Sequence, residues 1–269
     1  MQRSTAGTPV KALVVITYVA MIATNALANA LPINGRTTGA VSDAYRNLFA
    51  PAGLTFAIWG VIYLLLGAHV LYQVGLFHDR GTEAGSAARR PLLERVGVLF
   101  SLSSVANAAW ILSWHYDLIG LSTLLLATML VLLVLITRAI LGAELSTRDR
   151  LLVRLPFSVY FGWLTVATIA NVTVWLVSVG WNGFGLGEAT WAVAIIAVGA
   201  LIGTAVVLRD RDVAYGLVLV WAYLGIWIKH TSAAGFAGAY PAVSVTALLG
   251  IVAFVAAGTL VVLRRRAPR

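Results

Sequence analysis

Long uncharged stretches alternate with short polar segments along the whole chain. Crossing about 30 Å of hydrocarbon takes a helix of about 20 residues. Eight stretches approach or exceed that length, at approximately 12–31, 52–76, 96–115, 118–137, 155–179, 190–208, 213–228 and 240–263. A strand edge or loop facing lipid would leave backbone N–H and C=O groups without partners, so each stretch is predicted to be a helix. The pattern therefore predicts an all-α integral membrane protein with about eight transmembrane helices.

The composition supports a membrane as the solvent. Of the 269 residues, 60% are hydrophobic and only 11% are charged, and the chain has no cysteine. The absence of cysteine excludes disulfides and thiolate chemistry. A net charge of +9 could suit nucleic acid, but the basic residues lie in short runs between apolar stretches. We therefore expect the lipid bilayer to be a partner and nucleic acid not to be one.

The basic residues fall mainly on one side of an eight-span topology. With a cytoplasmic amino terminus, the outer side holds only Arg36, Arg46 and Lys229 among the 19 Lys and Arg residues. The positive-inside rule then places both termini in the cytoplasm and the chain in the inner (plasma) membrane. The first stretch, with its basic start and Ala28-Asn29-Ala30, also resembles a signal peptide with a small-residue cleavage site. Cleavage would leave seven spans in the same orientation.

Ionisable chemistry inside the predicted spans is sparse. No Asp, Glu, Lys or Arg lies near the middle of a span, whereas ion-coupled transporters usually keep one there. Lys229 lies near a helix end, which favours a snorkelling lysine over a retinal Schiff base. The four histidines have no i, i+4 pair, and no Ser-His-acid set can be assembled. We therefore expect no catalytic residues, no metal site and no enzyme.

Three of the predicted helices carry aromatic side chains at helical spacing. At 3.6 residues per turn, each set lies along one helix face. The sets are Trp59, Tyr63 and Gly67; Asn107, Trp110 and Trp114; and Tyr160, Trp163, Ala167, Asn171 and Trp175. Such stripes serve interfacial belts and helix packing. A face that combines amides with flat rings also suits a pocket for a planar ligand, so both interpretations stay open.

In order and spacing, these motifs resemble the tryptophan-rich sensory protein family, also called TspO/MBR or translocator protein. The resemblance covers residues 1 to about 180 and implies a five-helix bundle, leaving 181–269 as a three-helix transmembrane extension. It also implies a ligand cavity for tetrapyrroles such as porphyrin or haem, or for sterols. The implied ligand-binding residues are Trp59, Tyr63, Asn107, Trp110, Trp114, Tyr160, Trp163, Ala167 and Asn171. A tetrapyrrole would be a bound ligand, and no other cofactor is expected.

The sequence departs from the family motif around the first loop. Ala50-Pro51 stands where the family has paired prolines, and Gly53 and Ala57 replace a tryptophan and a proline. Phe49 stands near the position at which bacterial members of the family have a loop tryptophan connected with porphyrin breakdown. That activity is therefore not expected here.

Three functions remain open at this point. The leading hypothesis is a membrane sensor or binding protein for a planar hydrophobic molecule. The alternatives are a transporter for such a molecule and a structural partner subunit without a ligand. We expect the extension to pack on the bundle as a structural layer or as the interface of a homodimer.

Overall fold

The computed structural model describes residues 7–31, 33–77 and 83–266. Across these ranges the secondary structure is helical and contains no strand. Arg3, Arg80 and Arg269, which contribute to the predicted cytoplasmic charge, lie outside the described residues, as does His78.

The described helices are numbered in chain order. They are α1 (Thr8–Ala30), α2 (Thr38–Ala44), α3 (Ile58–Val74), α4 (Glu83–His115), α5 (Ile119–Leu141), α6 (Thr147–Asp149), α7 (Leu155–Ser178), α8 (Glu188–Asp210), α9 (Val213–Thr231) and α10 (Pro241–Arg266). Short 3₁₀ segments occur at Ile33–Gly35, Gly53–Ala57 and Gly183–Gly185, and a π-helix at Arg150–Arg154.

Eight helical segments of the described chain are long and apolar enough to cross a membrane. The predicted all-α class with about eight transmembrane helices is therefore confirmed. The helix ends differ from the apolar stretches in places. α4 begins at Glu83 and contains Pro91, well before the apolar stretch predicted to begin at 96. Charged residues there belong to the same helix because a helix can extend past the hydrocarbon into the interface.

The chain divides into two compact units. Unit 1 contains the described residues of Met1–Thr37 and Trp59–Phe161, and unit 2 those of Thr38–Ile58 and Gly162–Arg269. α7 contributes its first turns to unit 1 and the rest to unit 2. The domain boundary predicted near residue 180 does not coincide with any boundary between these units. It stays a prediction.

In unit 1, α4 packs against both α1 and α5. α1 also contacts α3, because the Tyr18 hydroxyl donates a hydrogen bond to the Tyr63 carbonyl oxygen at 2.9 Å. Gly67 lies under this contact, and a Cβ there would come within 2.7 Å of the Tyr18 oxygen. Gly67 of the predicted stripe therefore allows two helices to approach closely, the usual role of small residues between membrane helices.

A buried histidine joins α3 to the segment before α7 in unit 1. His69 is fully buried, and its Nδ1 lies 2.8 Å from the carbonyl oxygen of Leu152 in the π-helix. A carbonyl only accepts, so Nδ1 carries the proton. The rings of Phe100 and Phe157 meet the imidazole edge to face at 5.8 and 4.8 Å. His69 is thus a core residue with a satisfied donor.

Asp149 anchors the loop that precedes α7. It forms a capping box with Ser146 and accepts a hydrogen bond from the Tyr72 hydroxyl at 2.7 Å. Arg89 of α4 lies 3.2 Å from the same carboxylate. Because the Asp149 side chain is only 2% exposed, these partners offset the cost of burying its charge.

In unit 2, α10 packs against α8 and α9. The Tyr223 hydroxyl of α9 donates to the Ile196 carbonyl of α8 at 2.8 Å, close over Gly199. Lys229, predicted to snorkel at the interface, has its ammonium 2.8 Å from the Asp43 carboxylate of α2. Its charge therefore has a partner within the chain.

Two glycines of α3 provide a matched test of close packing. A Cβ at Gly60 would meet no atom within 4 Å, whereas one at Gly67 would displace the Tyr18 hydroxyl. We expect Gly60→Ala to be neutral or stabilising, because alanine favours helix by about 1 kcal/mol. Gly67→Ala should destabilise by about 1–2 kcal/mol, as overpacking and the lost hydrogen bond exceed that gain. Thermal unfolding in detergent measures both, and equal shifts for the two variants would contradict the close contact.

Candidate functional site

Five of the predicted site residues form one aromatic cluster in unit 1. Trp59 of α3 stacks on Tyr63 with ring centroids 5.4 Å apart and planes at 23°. It also lies 5.7 Å from Trp110 of α4 and 6.1 Å from Tyr160 of α7. Trp110 in turn stacks on Trp114 at 6.2 Å. These separations lie in the range where aromatic pairs attract each other beyond simple burial.

The cluster is closed on most of its sides. Tyr160 is fully buried, and Trp110 and Trp114 are each 5% exposed. Trp59 and Tyr63 are half-buried, so α3 contributes the more accessible rings. The stripes therefore pack rings from three helices against one another, and the face of α3 remains partly open.

An amide network holds the cluster in place. Asn107, fully buried on α4, accepts a hydrogen bond from the Asn25 side chain of α1 at 2.7 Å and donates to the Tyr160 hydroxyl at 3.2 Å. Asn25 also donates to the Met21 carbonyl, one turn earlier in α1. Sequence reasoning missed Asn25, although an amide within an apolar stretch is itself a signal, because hydrocarbon offers it no partner.

The other three predicted residues belong to unit 2. Trp163 is 2% exposed and meets the ring of Phe56 edge to face at 6.0 Å. Asn171 is 3% exposed, and Ala167 is half-buried. The aromatic cluster thus contains five of the nine predicted residues, with Asn107 bonded to its edge. The assignment of all nine to one ligand site stays a prediction.

The chemistry available at the predicted residues is that of binding. They offer indole and phenol rings, hydroxyl groups and amides, and none carries a carboxylate or an imidazole. Such a set can stack on a flat molecule and hydrogen-bond its polar edges.

A cavity in unit 2 was not predicted from the sequence. It has a volume of about 320 Å³, and none of the nine predicted residues lines it. Its walls come from the loop at 46–49, the end of α7, the turn at 181–186 and the start of α8. The signal in the sequence is the Trp181-Asn182-Gly183 segment between two apolar stretches.

Comparison with known proteins identifies one family. A family model described as TSPO-like protein matches residues 11–260. The matched region contains all nine predicted residues and continues beyond residue 180 through α8, α9 and most of α10. The searches of curated proteins and of solved structures found no match.

The amide network makes a prediction about stability. Replacing Asn107 by Leu leaves the Asn25 amide without its side-chain partner, and Asn25→Leu does the reverse for Asn107. Each single variant should therefore unfold at lower temperature than the parent, while the double variant should lose less than the sum of the two. We expect a coupling of about 0.6–1.7 kcal/mol, as found for hydrogen bonds between membrane helices. Strictly additive losses in the double-mutant cycle would contradict this role.

Proposed function

The chain belongs to the TSPO-like protein family, and from this membership we propose that it is a membrane sensor or binding protein for a planar hydrophobic ligand. The ligand class is a tetrapyrrole such as porphyrin or haem, or a sterol-like molecule. The observation that carries the proposal is the aromatic cluster, in which α3, α4 and α7 bring five rings together beside one amide network.

The half-buried rings of α3 give the ligand its surface. Trp59 and Tyr63 stack on each other with their planes at 23°, so a planar ligand can extend the same stack. Trp110 and Tyr160 contact Trp59 with ring centroids 5.7 and 6.1 Å away and help to fix its orientation. Each stacked ring contributes on the order of 1 kcal/mol to such binding.

Asn107 acts on the ligand through Tyr160. Its amide already bonds Asn25 and the Tyr160 hydroxyl, so in this proposal it orients Tyr160 and does not itself recognise the ligand.

The proposal also assigns an orientation. The chain lies in the inner membrane with both termini in the cytoplasm, supported by the bias of basic residues. Two of the three basic residues on the proposed outer side have acidic partners there: Arg36 pairs with Asp117, and Lys229 pairs with Asp43. Each of these two basic side chains therefore has a partner within the chain.

Binding can be tested on the purified protein. Titration with protoporphyrin or cholesterol should quench tryptophan fluorescence in a saturable way. Trp59→Leu keeps apolar bulk but removes the most accessible indole of the cluster, so affinity should fall about five- to tenfold. Trp227→Leu, at an exposed site on α9 in unit 2, is the matched control and should leave affinity unchanged.

Two outcomes would overturn this proposal. Equal loss of affinity in both variants would mean that the aromatic cluster is not the site. Unaltered binding in Trp59→Leu would mean the same. Flux of the ligand through sealed vesicles that contain the pure protein would indicate a transporter in place of a sensor.

The orientation has its own test. A fluorescent protein fused after Arg269 should fold and fluoresce, because it would lie in the cytoplasm. Alkaline phosphatase inserted near Gly183 should be active, because it would lie outside. The opposite pattern for either fusion would contradict the assigned topology.

A further inference from the structure

The cavity of unit 2 has both an acidic and a basic side chain in its wall. Arg46 and Glu188 line it, together with Asn47 and Asn182. Its apolar wall is formed by residues of all four segments, among them Phe49, Leu176 and Ile195. About 320 Å³ is at the small end of the range for ligand pockets, so the occupant has the size of a headgroup or a small metabolite.

One wall of the cavity suits an ammonium group. The rings of Trp181 and Trp191 lie 5.0 Å apart at 57° and form an aromatic corner. Glu188, at the first position of α8, lines the same cavity. Among the described residues its carboxylate has no ion-pair or hydrogen-bond partner. Indole faces attract cations through the ring quadrupole, and a carboxylate adds a full opposite charge.

A hydrogen bond to the backbone positions one ring of this aromatic corner. The Trp191 Nε1–H donates to the Gly183 carbonyl oxygen at 2.6 Å. A Cβ on Gly183 would lie 2.8 Å from that nitrogen, and its φ of +63° also favours glycine. The adjacent Phe184 has φ +53° although it is not glycine. A backbone held in this region costs free energy, and the Trp191 contact is one of the interactions that hold it.

The basic side chain of the cavity, Arg46, is oriented by two aromatic residues. The Arg46 guanidinium lies 5.6 Å from the centroid of the Phe236 ring and donates to the Tyr240 hydroxyl at 3.4 Å. Among the described residues it has no acidic partner within ion-pair distance. Its remaining N–H groups are therefore available to an anion. Asn47 shapes the loop beside it by accepting from the backbone N–H groups of Phe49 and Ala50.

From these walls we propose that the cavity binds a zwitterion in which an anionic group such as phosphate is joined by a short linker to an ammonium. The anion pairs with Arg46, and the ammonium lies against Trp181, Trp191 and Glu188. A zwitterionic phospholipid headgroup and a free phosphate–ammonium metabolite share this chemistry. The cavity shares no residue with the aromatic cluster, so this proposal and the proposed function can fail separately.

The test is binding of defined probes to the full chain in detergent, followed by tryptophan fluorescence. The probes are diheptanoyl phosphatidylcholine, diheptanoyl phosphatidylglycerol and glycerophosphocholine. Glu188→Gln should weaken phosphatidylcholine binding about five- to tenfold and leave phosphatidylglycerol unchanged, because only the former has an ammonium. Arg46→Gln should weaken both lipids, and Arg46→Lys should restore part of the loss.

Matched controls lie at exposed positions of unit 1. Glu144→Gln and Arg150→Gln make the same charge changes away from the cavity, and neither should alter binding. Thermal unfolding checks that each variant is folded. If Arg46→Gln does not fold, Arg46→Lys still tests the role of this side chain.

Each outcome decides one part of the proposal. Binding of glycerophosphocholine with the same sensitivity to Glu188→Gln supports a free zwitterion as the source, whereas binding of the lipid alone supports a headgroup. Equal effects of Glu188→Gln on both lipids, or no effect on either, would overturn the zwitterion site. So would unchanged binding in the Arg46 variants.

Discussion

The structure depends on one constraint of the bilayer, that a polar group inside it must find its partner within the protein. An unpaired amide or hydroxyl costs about 2–7 kcal/mol in hydrocarbon. Asn25, Asn107 and Tyr160 satisfy one another across α1, α4 and α7. Such a chain of hydrogen bonds fixes how the three helices are turned, which apolar packing alone specifies less sharply. The rings of the aromatic cluster are aligned as a consequence.

In each of the two units a tyrosine hydroxyl finds its hydrogen-bond partner in a backbone carbonyl of a neighbouring helix. The Tyr18 hydroxyl donates to the carbonyl of Tyr63 beside Gly67, and the Tyr223 hydroxyl donates to the carbonyl of Ile196 beside Gly199. In a helix each carbonyl points toward the residue three or four positions later. A glycine there removes the side chain that would cover the carbonyl, so a hydroxyl from a neighbouring helix can reach it. The glycine spacing thus has a hydrogen-bonding purpose as well as a packing one.

Much of the fold could be predicted from the sequence, because the length of an apolar stretch is a local property. The start of α4 at Glu83 could not be predicted. The length of an apolar stretch shows where a helix crosses the hydrocarbon, but not how far the helix continues outside it. The periodicity identified the ring faces that meet around Trp59, but the pairing of Asn25 with Asn107 needs the positions of two helices. The cavity beside Glu188 could not be predicted either, because its walls come from four segments whose relative positions the sequence does not show.

Ring stacking within the aromatic cluster limits what a ligand can gain there. A ring that already contacts other rings gains from a ligand only the difference between the two contacts, since binding must exceed the interactions it replaces. Trp110 and Tyr160 are 5% and 0% exposed, whereas Trp59 is half-buried. A ligand that leaves the cluster intact therefore gains most of its new contact from α3. The buried rings contribute by holding Trp59 in place before the ligand arrives, which lowers the entropy cost of binding.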